Sequence, residues 1–229
     1  MMKLAKRLIL LTLALVLLYQ GWLFAHVCWW IEHNPARSAF MSARLADMRE
    51  DDPEAELHHR WVPYERISRN LKRAVMASED AKFLQHEGFD WEGMQTAWEK
   101  NLKKGRIVAG GSTISQQLAK NLFLSGKRTP WRKGEEAIIT FMLEQMMTKR
   151  RIFEIYLNVI EWGDGVFGAE AAARHYYRKP ASALTPHEAA RLAAMVPNPR
   201  YYDKHRSTRY LERRTRIIQR RMNYVRPPR

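Results

Sequence analysis

Glu79 and Asp80 stand side by side, and Phe83, His86, Gly88, Phe89 and Asp90 follow within one short segment. Farther on, Gly110-Gly111-Ser112-Thr113-Ile114-Ser115-Gln116-Gln117-Leu118-Ala119-Lys120-Asn121 gathers hydroxyls, amides and a lysine behind two glycines. A carboxylate close to aromatic surface has its pKa raised by desolvation, which suits proton transfer near neutral pH and makes Glu79 the candidate acid/base. Two glycines let the backbone approach a ligand, and a helix start behind them offers free N–H groups to an anion. Together the two segments suit chemistry on a sugar that carries a phosphate leaving group. Each also admits a plainer reading. A Glu-Asp pair can simply be a solvated helix end, and a surface helix can hold the polar residues of the second segment with no ligand.

More cations follow. Arg132-Lys133 precede Glu135-Glu136, and Lys149-Arg150-Arg151 form a basic run. A helix dipole does not favour cations near the helix start, so Arg132 and Lys133 make more sense there if an anion arrives. Arginine grips phosphate in bidentate fashion and lysine acts as a point charge; the alternative is a solvated basic face. His86 has no second His or Cys nearby at ligand spacing, so a structural hydrogen bond is expected of it, and His58-His59 suggest nothing specific. Gly163-Asp164-Gly165-Val166-Phe167-Gly168 matches G-x-G-x-x-G, but that pattern binds dinucleotides only between a strand and a helix. The preceding segment reads as helix, so a tight turn between helices is expected.

The elements that must position these groups read as helices almost throughout. Ile67, Leu71 and Val75 recur at i, i+4 and i+8, one apolar face running into Glu79. Asp90 is a cap for a helix from Trp91. Thr113 with Gln116 has capping-box spacing for a helix through Asn121, and Thr185, Pro186 and Glu188 supply cap, first-turn proline and N3 acid. Glu135 to Met147 and Ile152 to Trp162 read as buried helices, and Arg206 to Tyr224 as a very basic one. No strand alternation, internal repeat or low-complexity tract stands out.

From Leu8 to Ile31 there is no Asp, Glu, Lys or Arg. That run of about 24 residues can span the roughly 30 Å hydrocarbon core as a helix. Lys3, Lys6 and Arg7 crowd its N-terminal edge, which favours a cytoplasmic N-terminus with the rest outside, and Trp29 and Trp30 fit an aromatic belt at the outer end. The run exceeds a signal peptide's apolar region and no A-x-A site follows it, so an uncleaved anchor is expected. Asn34-Pro35 should end the anchor helix, with a second break at Pro53. The expected layout is a cytoplasmic tail (1–7), an anchor (8–31), a juxtamembrane connector (32–60) and one domain (61–229), long enough for a real core. The net charge is +15, from 39 Lys+Arg against 24 Asp+Glu, which points to an anionic partner. The single cysteine, Cys28, excludes an internal disulfide framework.

Taken together, the segments from Trp61 to Pro199 resemble the bacterial peptidoglycan glycosyltransferases in their monofunctional, membrane-anchored form. Glu79-Asp80-x-x-Phe83-x-x-His86-x-Gly88 is similar to the family's first motif, and Gly110-Gly111-Ser112-Thr113-Ile114-Ser115-Gln116-Gln117-x-x-Lys120-Asn121 to its second. Arg132-Lys133-x-x-Glu136 and Lys149-x-x-Ile152-x-Glu154-x-Tyr156-Leu157-Asn158 resemble the next two, with Phe153 where leucine is commoner. The resemblance implies a mainly α, lysozyme-like fold and a processive polymerase of lipid II. It makes Glu79 the general base toward the acceptor sugar's 4-hydroxyl. It makes Glu136 the second essential acid, acting at the donor diphosphate directly or through a divalent cation, Mg2+ or Mn2+; no cofactor is implied as obligatory. Lys120, Arg132, Lys133, Lys149 and Arg150 would neutralise the diphosphate. Ser112, Thr113, Gln117 and Asn121 would position donor sugar and phosphate. Asp80, Phe83 and His86 belong to the first motif, Asp80 without an assigned task. Leu122-Phe123-Leu124 and Trp131 are placed to dip into the bilayer.

The implied partners are lipid II, the growing lipid-linked glycan, the bilayer, and cell-division or cell-wall synthesis proteins. The implied location is the bacterial inner membrane, single-pass, with the domain periplasmic. Nucleic-acid binding through the basic tail conflicts with that location. Neither S-x-x-K nor K-T-G occurs in the sequence, so glycan polymerisation without cross-linking is expected. The rival readings are a lytic transglycosylase or muramidase, and a non-enzymatic membrane-anchored scaffold.

Overall fold

The computed structural model describes residues 2–106, 110–124 and 129–229. Helix α1, Met2–Glu32, is long and apolar enough to cross a membrane and ends just before Asn34-Pro35. It extends back through the basic residues at its start, one continuous helix where the sequence divides into tail and span. Most of it is exposed. Toward its C-terminal end Leu23, Val27 and Trp30 are buried, and the rings of Trp22 and Trp30 meet Phe123 at 6.2 and 5.0 Å. Arg151 donates to the carbonyls of Trp30 at 2.9 Å and His33 at 2.6 Å, satisfying acceptors at the helix's open end. The C-terminal end of α1 is thereby fastened to the rest of the chain.

Residues 32–60 are more than the expected connector. Ser38 caps α2, Ala39–Asp51, by accepting from the Met41 N–H, and α2 buries Met41 and Leu45. Its Arg44 pairs with Asp164. With so few apolar positions, α2 shows little periodicity to read in advance. The chain then forms β1, His58–His59, the first of three short strands among the described residues. With β2, Glu161–Gly163, and β3, Val166–Phe167, it makes a sheet ordered β1-β3-β2, β3 lying parallel to β1 and antiparallel to β2. Strands of two or three residues are too short to alternate visibly. The helix expected to run through Trp162 therefore stops at Val159. Gly163 to Gly168 form a hairpin, in which Gly165 has φ +69° and Gly168 φ +83°. A Cβ on Gly168 would lie 2.7 Å from the Asn158 carbonyl. These glycines serve a tight turn and close backbone packing.

The remaining helices follow the local signals. Helix α3, Arg69–Glu79, buries Leu71 and Val75 fully, with Ile67 beside them. It packs on α9, Pro186–Met195, and α11, Arg209–Arg221. Asp90 caps α4, Trp91–Lys104, through the Gly93 N–H. Thr113 and Gln116 form the capping box of α5, Ile114–Phe123, and Thr185 and Glu188 that of α9. Such caps contribute about 1 kcal/mol each. Helix α5 lies against α6, Pro130–Met146, and α7, Lys149–Val159. Phe153, Ile155, Tyr156 and Leu157 of α7 are fully buried, as read from the sequence. Helix α6 is not: Ile139 and Leu143 face the core, while Trp131, Ile138 and Phe141 are exposed. Helices α8, Ala169–Tyr177, and α10, Pro199–Lys204, complete the mainly helical fold.

Candidate active site

Helix α3 ends on Glu79, and Asp80 leaves the helix in extended geometry, with φ −162°. The Asp80 carboxylate accepts from the N–H of Ile114, first residue of α5, at 3.1 Å. Both its oxygens also lie 3.1 Å from His86 Nε2. One buried carboxylate thus ties together the end of α3, the following loop and the start of α5. This gives Asp80 a positioning role and His86 the structural hydrogen bond expected of it. Asp80→Ala should cost about 2 kcal/mol of stability, the cost of leaving buried donors unpaired. Urea denaturation measures this, with Asp80→Asn expected to lose less because it keeps one acceptor oxygen.

Glu79 is held by three elements. Ser78 Oγ donates to its Oε1 at 2.9 Å, and Gln117 Nε2 of α5 donates to Oε2 at 3.2 Å. The Tyr156 hydroxyl donates to Gln117 Oε1 at 2.9 Å, which turns the amide N–H toward Glu79. Arg214 of α11 donates to Ser78 Oγ at 3.1 Å and lies 3.8 Å from Glu79 Oε1. Burial pushes the Glu79 carboxyl above its ordinary value. The bonds from Ser78 and Gln117 and the Arg214 charge oppose this, and the Asp80 charge adds to it. The aromatic setting read from sequence contributes otherwise than expected: Phe83 is in the core, and Trp91 is exposed and stacked on Phe89 at 5.4 Å.

Ser78, Tyr156 and Arg214 were not singled out in the sequence. A signal for Arg214 exists: with Leu211, Thr215 and Ile218 buried on α11, helical spacing sets residue 214 at the edge of the inward face. Tyr156 lies inside the fourth motif.

Two hollows flank Glu79. The first, about 450 Å³, is lined by Glu79, Asp80, Gly110, Gly111, Ser112 and Thr113, among others. The second, about 390 Å³, is lined by Gln117, Lys120, Asn121 and Arg132, with Phe40 and Glu161 on other sides. Gln117 lines the second and bonds to Glu79 of the first, so this pair is the partition between them. Arg132, on the wall of the second hollow, has Nε and Nη1 buried with no hydrogen bond, Nη1 lying 3.9 Å from the Glu136 carboxylate. Buried N–H groups of a cation left unpaired are costly, and an anion would satisfy them. Glu136, buried one turn along α6, pairs with Lys133 and lies 3.9 Å from Arg132.

Other residues expected at the site sit elsewhere or are already engaged. The Thr113 hydroxyl donates to the Gly88 carbonyl at 2.6 Å and accepts from Gln116 N–H at 3.2 Å. Lys149 pairs with Glu144 at 2.8 Å and covers the Phe83 ring at 4.6 Å. Arg150 pairs with Glu65 over the Tyr64 ring and lines neither hollow. Asn121 Nδ2 donates to the Gln117 carbonyl at 2.7 Å, bracing the partition. Leu122 and Leu124 are buried in the core, and Phe123 packs on the anchor, which leaves Trp131 as the exposed member of the expected bilayer contact. Among the described residues no three acidic, His or Cys groups converge on a cation site. The immediate charged neighbours of Glu136 are cationic, so these donors alone do not suit Mg2+ or Mn2+.

The sequence matches the family described as transglycosylase over residues 46–223. Curated relatives named biosynthetic peptidoglycan transglycosylase align along nearly the whole chain. One from Laribacter hongkongensis is 73% identical over 216 residues, covering 94% of this chain and 95% of the relative. One from Methylobacillus flagellatus is 70% identical over 220 residues, covering 96% of each. A third, from Chromobacterium violaceum, is 67% identical over 215 residues, covering 94% of each.

Proposed function

This chain belongs to the transglycosylase family, and from that premise we propose that it polymerises peptidoglycan glycan strands from lipid II at the inner membrane, without cross-linking them. The observation that carries the reading is the buried Glu79 on a partition, with a polar hollow on one side and a hollow lined by Lys120 and Arg132 on the other. Glu79 takes the proton from the acceptor sugar's 4-hydroxyl as that oxygen attacks the donor's anomeric carbon. The new C–O bond forms as the bond to undecaprenyl diphosphate breaks on the opposite face. An α-linked donor therefore becomes a β-1,4 linkage by inversion, and the proton passes from Glu79 to solvent.

Negative charge grows on the leaving diphosphate. Lys120 and Arg132, with Lys133 beside them, stabilise it best if they are already in place before it develops. Glu136 holds Arg132 and Lys133 in that arrangement. Ser112, Gln117 and Asn121 orient the sugars and phosphates along the two hollows. Asp80, Phe83, His86, Thr113 and Lys149 act behind them, fixing α3, α5 and α7 in register.

Helix α1 anchors the enzyme, and the exposed Trp131, Ile138 and Phe141 on α6 rest on the bilayer beside it, where the lipid tails of donor and acceptor lie. In this reading α2 belongs with the catalytic domain, supported by its contacts with α5 and by a family segment that begins within it, at residue 46. Other cell-wall synthesis proteins are its natural partners. Lys3, Lys6 and Arg7 keep the N-terminus cytoplasmic, which places the domain in the periplasm. A reporter active only in the periplasm, fused after Arg229, is expected to be active. Activity solely of a cytoplasmic reporter would contradict the orientation. The linkage itself is read by digesting the product with a β-1,4-specific muramidase, which should reduce it to disaccharide units; resistance would contradict inversion.

A further inference from the structure

A third hollow, about 640 Å³, lies between the start of α3 and the residues after α11, and shares no lining residue with the two at Glu79. Arg69, Lys72, Arg73, Arg150 and Arg226 line it, and Glu65 is the one acidic side chain among its walls. Its shape is fixed by a clamp. The Tyr64 hydroxyl donates to the Pro228 carbonyl at 2.7 Å, and Lys72 Nζ donates to the Tyr64 carbonyl at 3.0 Å. The Tyr64 ring lies 4.1 Å from the Lys72 ammonium and 5.0 Å from the Arg150 guanidinium.

Six cations, Arg229 being the sixth, surround one concavity and repel each other, and Glu65 is already taken up by Arg150. The repulsion is felt at Lys72, whose ammonium is held below its ordinary pKa by burial and by the Arg69 charge. Arg73 also keeps its Nε buried with no partner. A solvated basic face would have neither the concavity nor a buried unpaired donor. We propose that this hollow binds a phosphate group, of the kind that an anionic lipid headgroup presents.

The membrane lies close by. Arg151, next to Arg150, is the residue that donates to the Trp30 and His33 carbonyls at the outer end of the anchor. Lipid headgroups are therefore the nearest abundant source, and free phosphate is the other. Arg226 lies beyond the segment 46–223 that matches the transglycosylase family, while Arg69, Lys72, Arg73 and Arg150 lie within it. The inference does not depend on the polymerase reading.

The test is calorimetric titration of the full chain in neutral detergent with dihexanoyl phosphatidylglycerol, dihexanoyl phosphatidylcholine and inorganic phosphate. Phosphatidylglycerol should bind and phosphatidylcholine should not. Arg69→Gln/Arg73→Gln/Arg226→Gln should weaken binding by about tenfold or more, because charge-assisted bonds to phosphate are lost. A charge-matched control on α11, Arg209→Gln/Arg216→Gln/Arg220→Gln, should leave it unchanged. Inorganic phosphate binding with the same loss in the first variant supports the site and assigns its source to solution. Should the triple variant fail to fold, Arg226→Gln alone, outside any helix, is expected to weaken binding several-fold. No binding of either phosphate ligand, or equal losses in variant and control, overturns the proposal.

Discussion

Glu79→Gln is expected to lower glycan polymerisation by about 10²–10⁴-fold, the usual contribution of a positioned general base, while raising the melting temperature at neutral pH. The two effects share one cause. Glutamine keeps the shape and can bond with Ser78 and Gln117, but it cannot accept a proton from a sugar hydroxyl. It also carries no charge, so the desolvation that raises the Glu79 pKa no longer opposes folding. The sign follows from proton linkage. The folded carboxyl titrates above its ordinary value of 4.5, so between that value and the raised one the folded state binds more protons than the unfolded state. Wild-type stability therefore falls as pH rises through this window, and the variant lacks that decrease. Activity runs the other way, because the base works only when ionised, so kcat rises with pH across the same window. Melting curves and initial rates measured over one pH series check both. A fully active Glu79→Gln variant removes the base role, and one less stable than wild type at neutral pH contradicts the raised pKa.

Arg132→Ala is expected to lower kcat by about 10²–10³-fold, comparable to removing one preorganised donor from a site of developing negative charge. Two of its guanidinium nitrogens make no hydrogen bond within the protein, so the loss should fall mainly on the chemical step, where the diphosphate gains charge. Arg132→Lys should recover part of the rate, because it restores the charge but not the bidentate geometry. Stability should change little in either variant, since buried Glu136 keeps its ion pair with Lys133. Single-turnover kinetics separate this from a binding defect; a change confined to KM would place Arg132 in ground-state binding instead.

What was legible in the sequence was what is encoded locally. Asp90, Thr113 with Gln116, and Thr185 with Glu188 cap helices because the bonds involved span only three residues. The apolar face of α3 was legible because its period is that of the helix. Three features were not. The strands β1, β2 and β3 are too short for alternation, and β1 meets β3 only after more than 100 residues of chain. Arg214 reaches Ser78 across 136 positions, a proximity that no local pattern carries.

The basic run at 149–151 shows the third limit. Consecutive residues on a helix point about 100° apart, so one charge run serves three places. Lys149 goes to Glu144, Arg150 to Glu65 and Arg151 to the carbonyls ending the anchor. The family resemblance puts Lys149 and Arg150 in the diphosphate cradle, yet Arg150 lines a different hollow, and Lys120 and Arg132 are the cations that line the second one.

A transglycosylase that builds glycan and one that degrades it can share a helical fold and a glutamate at the cleft. The direction of the reaction separates them. Purified full-length protein should be incubated with lipid II and, in parallel, with preformed uncross-linked glycan, and product lengths compared with time. Lipid II consumption with growth of long glycan, and no shortening of the preformed strands, is the expected result. Shortening of the strands with no polymer from lipid II would contradict it.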